Sequence, residues 1–174
     1  MRTSSVRFAV VLAVAGAFVL SPVAGAQESS GRRGWGWGFQ LGAMTGTVDG
    51  TQMSVALLAE NYRSPAFSWG GTFFFTPLGD LTAAGGAVVL RFHVVRNRWE
   101  IVPTVGMGLI RADLDGNSDT GFFLPLGVEG AVEVSPNIFL TTSVTYNLHQ
   151  LTFDEPAGDD SASTTFSVGV RYFP

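Results

Sequence analysis

From Trp35 to the end, the chain alternates between large apolar and small or polar positions. That is the two-residue period of extended strands with one face in an apolar medium. The pattern predicts a first strand over Trp35 to Thr45, with Trp35, Trp37, Phe39, Leu41 and Ala43 on one face and Gly36, Gly38, Gln40 and Gly42 on the other. Val48-Asp49-Gly50 then turns the chain. A second strand, Gln52 to Asn61, sets Val55, Leu57 and Ala59 against Ser54, Ala56 and Glu60. The third, Ala66 to Thr76, sets Phe67, Trp69, Gly71, Phe73 and Phe75 against Ser68, Gly70, Thr72, Phe74 and Thr76. The fourth, Thr82 to Val94, has Val88, Leu90 and Phe92 opposite Val89, Arg91 and His93.

A fifth strand follows over Trp99 to Ala112, with Glu100, Thr104, Gly106 and Gly108 on its small face. Asp113 to Gly121 reads as a polar loop. The sixth strand covers Phe122 to Val134 and the seventh Ile138 to Leu151. An acidic loop over Thr152 to Ala162 precedes the last strand, Thr164 to Pro174, where Phe166, Val168, Val170 and Tyr172 oppose Thr165, Ser167, Gly169 and Arg171. Eight strands of roughly 10–13 residues match tilted membrane strands. Pro103 and Pro125 fall inside two of them. A closed sheet has no free edge for a missing N–H, so each is expected at a bulge or an irregularity.

The first residues follow a different plan. Arg2 and Arg7 precede an apolar run from Phe8 to Leu20, then Ser21-Pro22 and the small residues Ala24-Gly25-Ala26. This is the layout of a secretory signal peptide over residues 1–26, too short for a spanning helix. A polar leader, 27–34, would then join it to a barrel domain over 35–174. Without residues 1–26 the chain holds 8 basic and 14 acidic residues, a formal charge of −6, which argues against a nucleic-acid partner. There is no cysteine, hence no disulfide framework or thiolate metal site. Charged residues are only 14% of the chain, against about 25% in soluble domains. An exported, apolar chain with no further run long enough for a spanning helix points to a membrane β-barrel, because only helices and closed barrels satisfy every backbone group in lipid.

Alternation alone does not say which face is inside, since a soluble barrel with an apolar cavity alternates too. The small face is rich in Gly, Ser, Thr and Ala, which suits the narrow interior of eight strands. A water-facing surface would carry lysine, and the chain has none. The bulky face is therefore expected to meet lipid. All four tryptophans, Trp35, Trp37, Trp69 and Trp99, begin odd-numbered strands and fall at one rim, with Tyr172 and Phe92, as an interfacial belt requires. Asp49, Asp80, Asp113, Asp115, Asp119, Asp154, Glu155, Asp159 and Asp160 fall at the other. The expected fold is all-β: an eight-stranded antiparallel up-and-down transmembrane β-barrel.

With these strands, and with a closing strand that ends on Tyr172 and Phe173, the chain resembles the small eight-stranded outer-membrane barrels of the OmpA/OmpX type. Pro174 departs from that signal, which ends on an aromatic residue. The resemblance implies residence in the outer membrane of a two-membrane bacterium. It implies outer-membrane lipids and lipopolysaccharide as partners, the barrel-assembly machinery as a partner in biogenesis, and a monomer. It leaves three functions open: an envelope-structural or surface-interaction role, a lipid A acylase- or deacylase-like enzyme, and a narrow pore.

Eight charged residues are expected on the inner face: Glu60, Arg91, His93, Glu100, Arg111, Glu129, Glu133 and Arg171. In a narrow lumen they read as an ion-paired plug, because an unpaired buried charge is costly. The deacylases that this chain resembles pair a histidine with a serine two positions later. Here the neighbourhoods are His93-Val94-Val95 and His149-Gln150-Leu151, so no catalytic residue is assigned, and His149 reads as a solvated rim histidine. Asp113, Asp115, Asn117 and Asp119 alternate like a calcium loop but lack its downstream glutamate. No cofactor-binding residue and no metal ligand is assigned.

Overall fold

The computed structural model describes residues 34–47, 50–78, 81–152 and 159–174. The signal peptide, the first seven residues of the leader, the Val48-Asp49 part of the first turn and most of the acidic loop lie outside these residues.

Eight strands form one antiparallel sheet: Gly34–Thr47, Gly50–Ser64, Phe67–Phe75, Leu81–Phe92 with its continuation Val94–Arg96, Trp99–Leu114, Asn117–Ser135, Ile138–Thr152 and Asp159–Tyr172. Each pairs with the next in the chain. The first also pairs with the eighth, from Trp37↔Tyr172 to Thr45↔Thr164, so the sheet closes into a barrel without an edge. The tight turns have the residues their backbone needs. Asn97 and Asn137 adopt positive φ angles of 58° and 68°, a region that asparagine tolerates better than most residues.

One expected loop is a hairpin instead. The fifth and sixth strands run on to Leu114 and from Asn117, leaving only Asp115-Gly116 between them. Both turn residues have positive φ, 54° and 84°, and Asp113 accepts a hydrogen bond from the Gly116 N–H at 3.0 Å. An Asp-Gly pair favours the type I′ turn that matches strand twist. The polar stretch 113–121 is thus strand that has left the apolar band.

The two prolines interrupt the ladder without a bulge. Opposite Pro103 the pairing stops between Arg91↔Thr104 and Val94↔Ile101, and the fourth strand breaks at His93. His93 N–H bonds instead to the Ala66 carbonyl at 2.9 Å. Beside Pro125 the pairs step from Val105↔Leu126 to Gly108↔Phe123 with the register intact. The register shifts lie elsewhere, at Met44/Thr47, Tyr62/Ser64, Glu133/Ser135 and Leu148/Leu151. A missing donor therefore opens the ladder by two pairs on one side and leaves the register intact.

The faces are as the alternation requires. Large apolar side chains cover the outside on every strand, among them Phe122 at 79%, Trp99 at 65% and Val168 at 63% exposure. Such a band far exceeds the few hundred Å² of contiguous apolar surface that water-soluble monomers carry. Its solvent is hydrocarbon. At the end where the chain enters at Gly34 and leaves at Phe173, Trp35 stacks on Trp37 with ring centroids 6.4 Å apart and meets Trp69 edge-on at 5.9 Å. Asp113, Asp115 and Asp119 belong to the opposite end, beyond the apolar band.

Inside, small residues let the walls approach. A Cβ on Gly70 would sit 1.9 Å from the Ala59 carbonyl oxygen. The space beside Gly36 is filled by the ring of Phe173, which turns inward after the last strand and packs edge-on against Tyr62 and Phe139, at 5.1 and 5.7 Å. At the other end Phe74 and Phe123, 5.2 Å apart, pack with Met44, Leu58, Ile110 and Leu151. The lumen thus carries an apolar layer towards each mouth.

Val168 lies in the middle of the lipid-facing row from Phe166 to Tyr172. Val168→Arg is expected to cost about 2–4 kcal/mol in denaturant unfolding from vesicles, and Tyr172→Arg at the rim about 0–1 kcal/mol. Equal small costs at both positions would place the row in water.

A charge plug as the candidate functional site

Between the two apolar layers the inward positions of five strands bring six charges together. Glu60 comes from the second strand, Arg91 and His93 from the fourth and the break that follows it, Glu100 from the fifth, Glu129 from the sixth and Arg171 from the eighth. All six are buried, Arg171 completely. Arg171 joins three carboxylates: Nη1 donates to Glu60 Oε1 at 3.0 Å, Nη2 to Glu100 Oε2 at 2.7 Å, and Nε lies 2.9 Å from Glu129 Oε1. Arg91 Nη2 donates to the same Glu129 oxygen at 2.9 Å, and its Nε lies 3.0 Å from Glu60 Oε2. The two Nε contacts are charge contacts without hydrogen-bond alignment. Arg171 also lies 5.6 Å from the ring centres of Phe139 and Phe173, which cover the cluster from below.

The polar neighbours extend the network. Gln40 donates to Glu129 Oε2 at 2.8 Å and accepts from Ser167 at 3.1 Å, and Ser167 meets Ser143 at 2.6 Å. These residues border a cavity of about 90 Å³ that also touches Arg91, Thr104 and Phe123. It has room for a few waters.

His93 sits where the cluster resembles catalytic machinery. Ser68 Oγ lies 2.7 Å from His93 Nε2, and His93 Nδ1 contacts Glu100 Oε1. Tyr62 OH lies 3.0 Å from the same Nδ1. A serine, a histidine and a glutamate in this order form the geometry of an activated nucleophile. A fourth contact changes its sense, because Ser68 Oγ also donates to Glu60 Oε2 at 2.9 Å. Ser68 has one proton. Given to Glu60, it leaves Oγ only an acceptor's role towards His93 Nε2. In that arrangement the ring donates to the serine and does not draw its proton away. Ser68 is also fully buried, and the Glu60 carboxylate puts a negative charge 2.9 Å from its Oγ, where a developing oxyanion would need donors nearby instead.

Six of the eight charges expected in the lumen meet in the plug. Arg111 does not: it shares the outward parity of Trp99 and Leu109, is exposed, and donates to Ser118 at 3.1 Å. Glu133 does face inward but stands half-buried at the rim, next to the turn at Pro136. His149 is a second correction, since it is 8% exposed and faces the lumen beside Asn147 instead of lying in solvent. Sequence reading missed Ser68, Tyr62 and Gln40. Their inward parity was visible, but their contacts to His93 and Glu129 cross between strands. Of the calcium-like residues, Asp113 holds the hairpin turn, and Asp119 accepts from the N–H groups of Thr120 and Thr152 at 2.7 and 2.8 Å. Among the described residues no three acidic or histidine side chains converge on a metal position.

A closed antiparallel barrel of eight strands, apolar outside and filled by paired charges, is the fold of the small outer-membrane β-barrels. No protein-family model and no curated protein sequence matches the chain. Solved structures do. Neisserial surface protein A is similar with a TM-score of 0.62 at 17% identity, over 80% of this chain and 96% of that one. The N-terminal β-barrel domain of Pseudomonas aeruginosa OprF gives 0.53 at 9% identity, over 82% and 98%. Ail, the attachment invasion locus protein of Yersinia pestis, gives 0.52 at 14% identity, over 83% and 99%. The similarity is one of fold, and it extends over nearly the full length of each neighbour.

Two outcomes test the plug. Arg171→Ala takes one buried cation away from three carboxylates at once, leaving them to Arg91 and His93, and is expected to cost about 3–5 kcal/mol of unfolding free energy, as breaking a buried pair does. Glu133→Gln, outside the network, should stay within about 0.5 kcal/mol. The hairpin responds to pH. The Thr152 and Thr120 N–H groups hold the Asp119 carboxyl below its ordinary value of 3.8. Its contribution is complete above that value and is lost as pH falls through the lower folded one. Hydrogen exchange should show Thr152 losing protection in strong acid, and an Asp119→Asn variant already unprotected at neutral pH. Equal protection in both proteins at all pH values would remove Asp119 from this role.

Proposed function

We propose that the protein is a non-enzymatic barrel of the bacterial outer membrane, with an envelope-structural or surface-interaction role. Residues 1–26 serve in this reading as a cleaved export signal. Outer-membrane phospholipid and lipopolysaccharide surround the barrel, the assembly machinery inserts it, and the inserted protein is a monomer. The closed lumen carries the proposal. Arg171 and Arg91 tie three carboxylates across the bore, and an apolar layer covers them towards each mouth. Transport would have to break these pairs, which cost several kcal/mol to separate when buried. What remains for interaction is the outer surface and the two rims.

The enzyme reading has one observation in its favour, the spacing of Ser68, His93 and Glu100. Burial of Ser68 and the Glu60 carboxylate beside it oppose that reading. Incubation of the refolded protein with lipopolysaccharide is expected to leave lipid mass unchanged, and a fluorophosphonate probe should not label Ser68. Planar bilayers should show no large steady openings. Loss of an acyl chain that stops in a Ser68→Ala variant would make the protein an enzyme, and stable conductance would make it a pore.

A further inference from the structure

The termini-bearing rim of the barrel has a charge and aromatic pattern that the lumen does not explain. Three exposed arginines stand on its turns and strand ends: Arg63 at the end of the second strand, Arg96 at the end of the fourth strand's continuation, and Arg98 in the turn to the fifth. One of them lies against a tryptophan ring. Arg63 Cζ is 5.8 Å from the centre of the Trp69 ring, within range of a cation–π contact. Trp69 in turn touches Trp35, and Trp35 touches Trp37. On the neighbouring hairpin Arg96 pairs directly across from Trp99, with Arg98 in the turn between them.

All four tryptophans and all three rim arginines therefore occupy one sector, from the first strand to the fifth. The remaining turn of this rim, at Pro136-Asn137, offers no cation. Glu133, the acid beside that turn, faces inward. The described acids on the far rim, Asp113, Asp115 and Asp119, give the opposite sign there.

The geometry points to a headgroup site on this sector for anionic phospholipid. Indole rings settle at the level where acyl chains meet headgroups. The Trp69 ring holds the Arg63 guanidinium at that depth, and Trp99 gives Arg96 the same reference. A guanidinium presents a planar fork of donors that suits phosphate oxygens two at a time. Three such groups over adjoining hairpins select lipids with net negative charge over zwitterionic ones, with each basic residue near an anionic surface contributing about 1 kcal/mol. The lumen side of the wall is already neutralised by its own pairs. The rim cations have no such carboxylate partners among the described residues, and they face outward.

This rests on the membrane-spanning reading of the barrel, and the test separates the two. The mature chain is refolded into phosphatidylcholine vesicles containing a fixed fraction of either brominated phosphatidylglycerol or brominated phosphatidylcholine. Tryptophan quenching reports which lipid lies at the rim, where all four indoles are. The brominated phosphatidylglycerol should be enriched roughly fivefold for each arginine engaged, the factor that corresponds to about 1 kcal/mol. Combined Arg63→Gln, Arg96→Gln and Arg98→Gln should abolish the enrichment, while Arg111→Gln at the far end should keep it. Heat-dependent gel mobility confirms that each variant is folded. Equal quenching by the two lipids, or an enrichment that survives the triple substitution, overturns the site. Loss of enrichment on adding inorganic phosphate would assign it to free phosphate and overturn the lipid reading. Failure to insert into any vesicle would instead sink the membrane reading itself.

Discussion

Hydrocarbon offers no hydrogen bonds, so a sheet that crosses it must pair every backbone group within itself. In this chain that requirement is met by the ladder between the first and eighth strands, from Trp37↔Tyr172 to Thr45↔Thr164. Without it the sheet would have two long apolar edges and would pair with other chains. Closure also explains where irregularity is tolerated. Pro103 and Pro125 each remove one donor, and the ladder answers with a local gap beside them while the register runs on.

Closing eight strands fixes a narrow bore, and the bore decides the chemistry. Side chains that point inward are cut off from bulk water, so charges survive there by pairing. Arg171 takes three carboxylates, Arg91 two, and Ser68 passes a proton-shared contact from His93 to Glu60. The same crowding gives the Ser68–His93–Glu100 grouping its catalytic shape and denies it catalytic use. A nucleophile needs access and a place for negative charge to develop. Here Ser68 is fully buried, and a carboxylate stands 2.9 Å from its Oγ.

The fold was legible in the sequence because lipid imposes a two-residue period that few other environments would sustain over eight strands. Seven of the eight lumen charges followed from that parity, six of them in the plug and Glu133 at the rim. The two outside the plug mark what parity settles and what it leaves open. Arg111 shares parity with Leu109 and belongs outside, a matter of counting; Glu133 has inward parity but lies where the barrel meets the rim. The turn at Asp115-Gly116 was concealed by polarity, because strands that rise above the membrane lose their apolar face while keeping their pairing. The site itself was less visible. Ser68 reaches His93 from a neighbouring strand, and such diagonal contacts depend on register, which no single strand encodes. Buried His149 was misplaced for the same reason: depth along the barrel is set by tilt and stagger, not by distance from a loop.

The central claim is that hydrocarbon surrounds the bulky face of a closed cylinder. A spin-label scan over single cysteines at 165 to 172, in a chain with no native cysteine, tests this directly in vesicles. The account predicts high oxygen accessibility and low nickel-complex accessibility at Phe166, Val168 and Val170. It predicts immobile, inaccessible labels at Thr165, Ser167, Gly169 and Arg171, or failure of those variants to insert. High accessibility to the polar nickel complex along the even positions would contradict it.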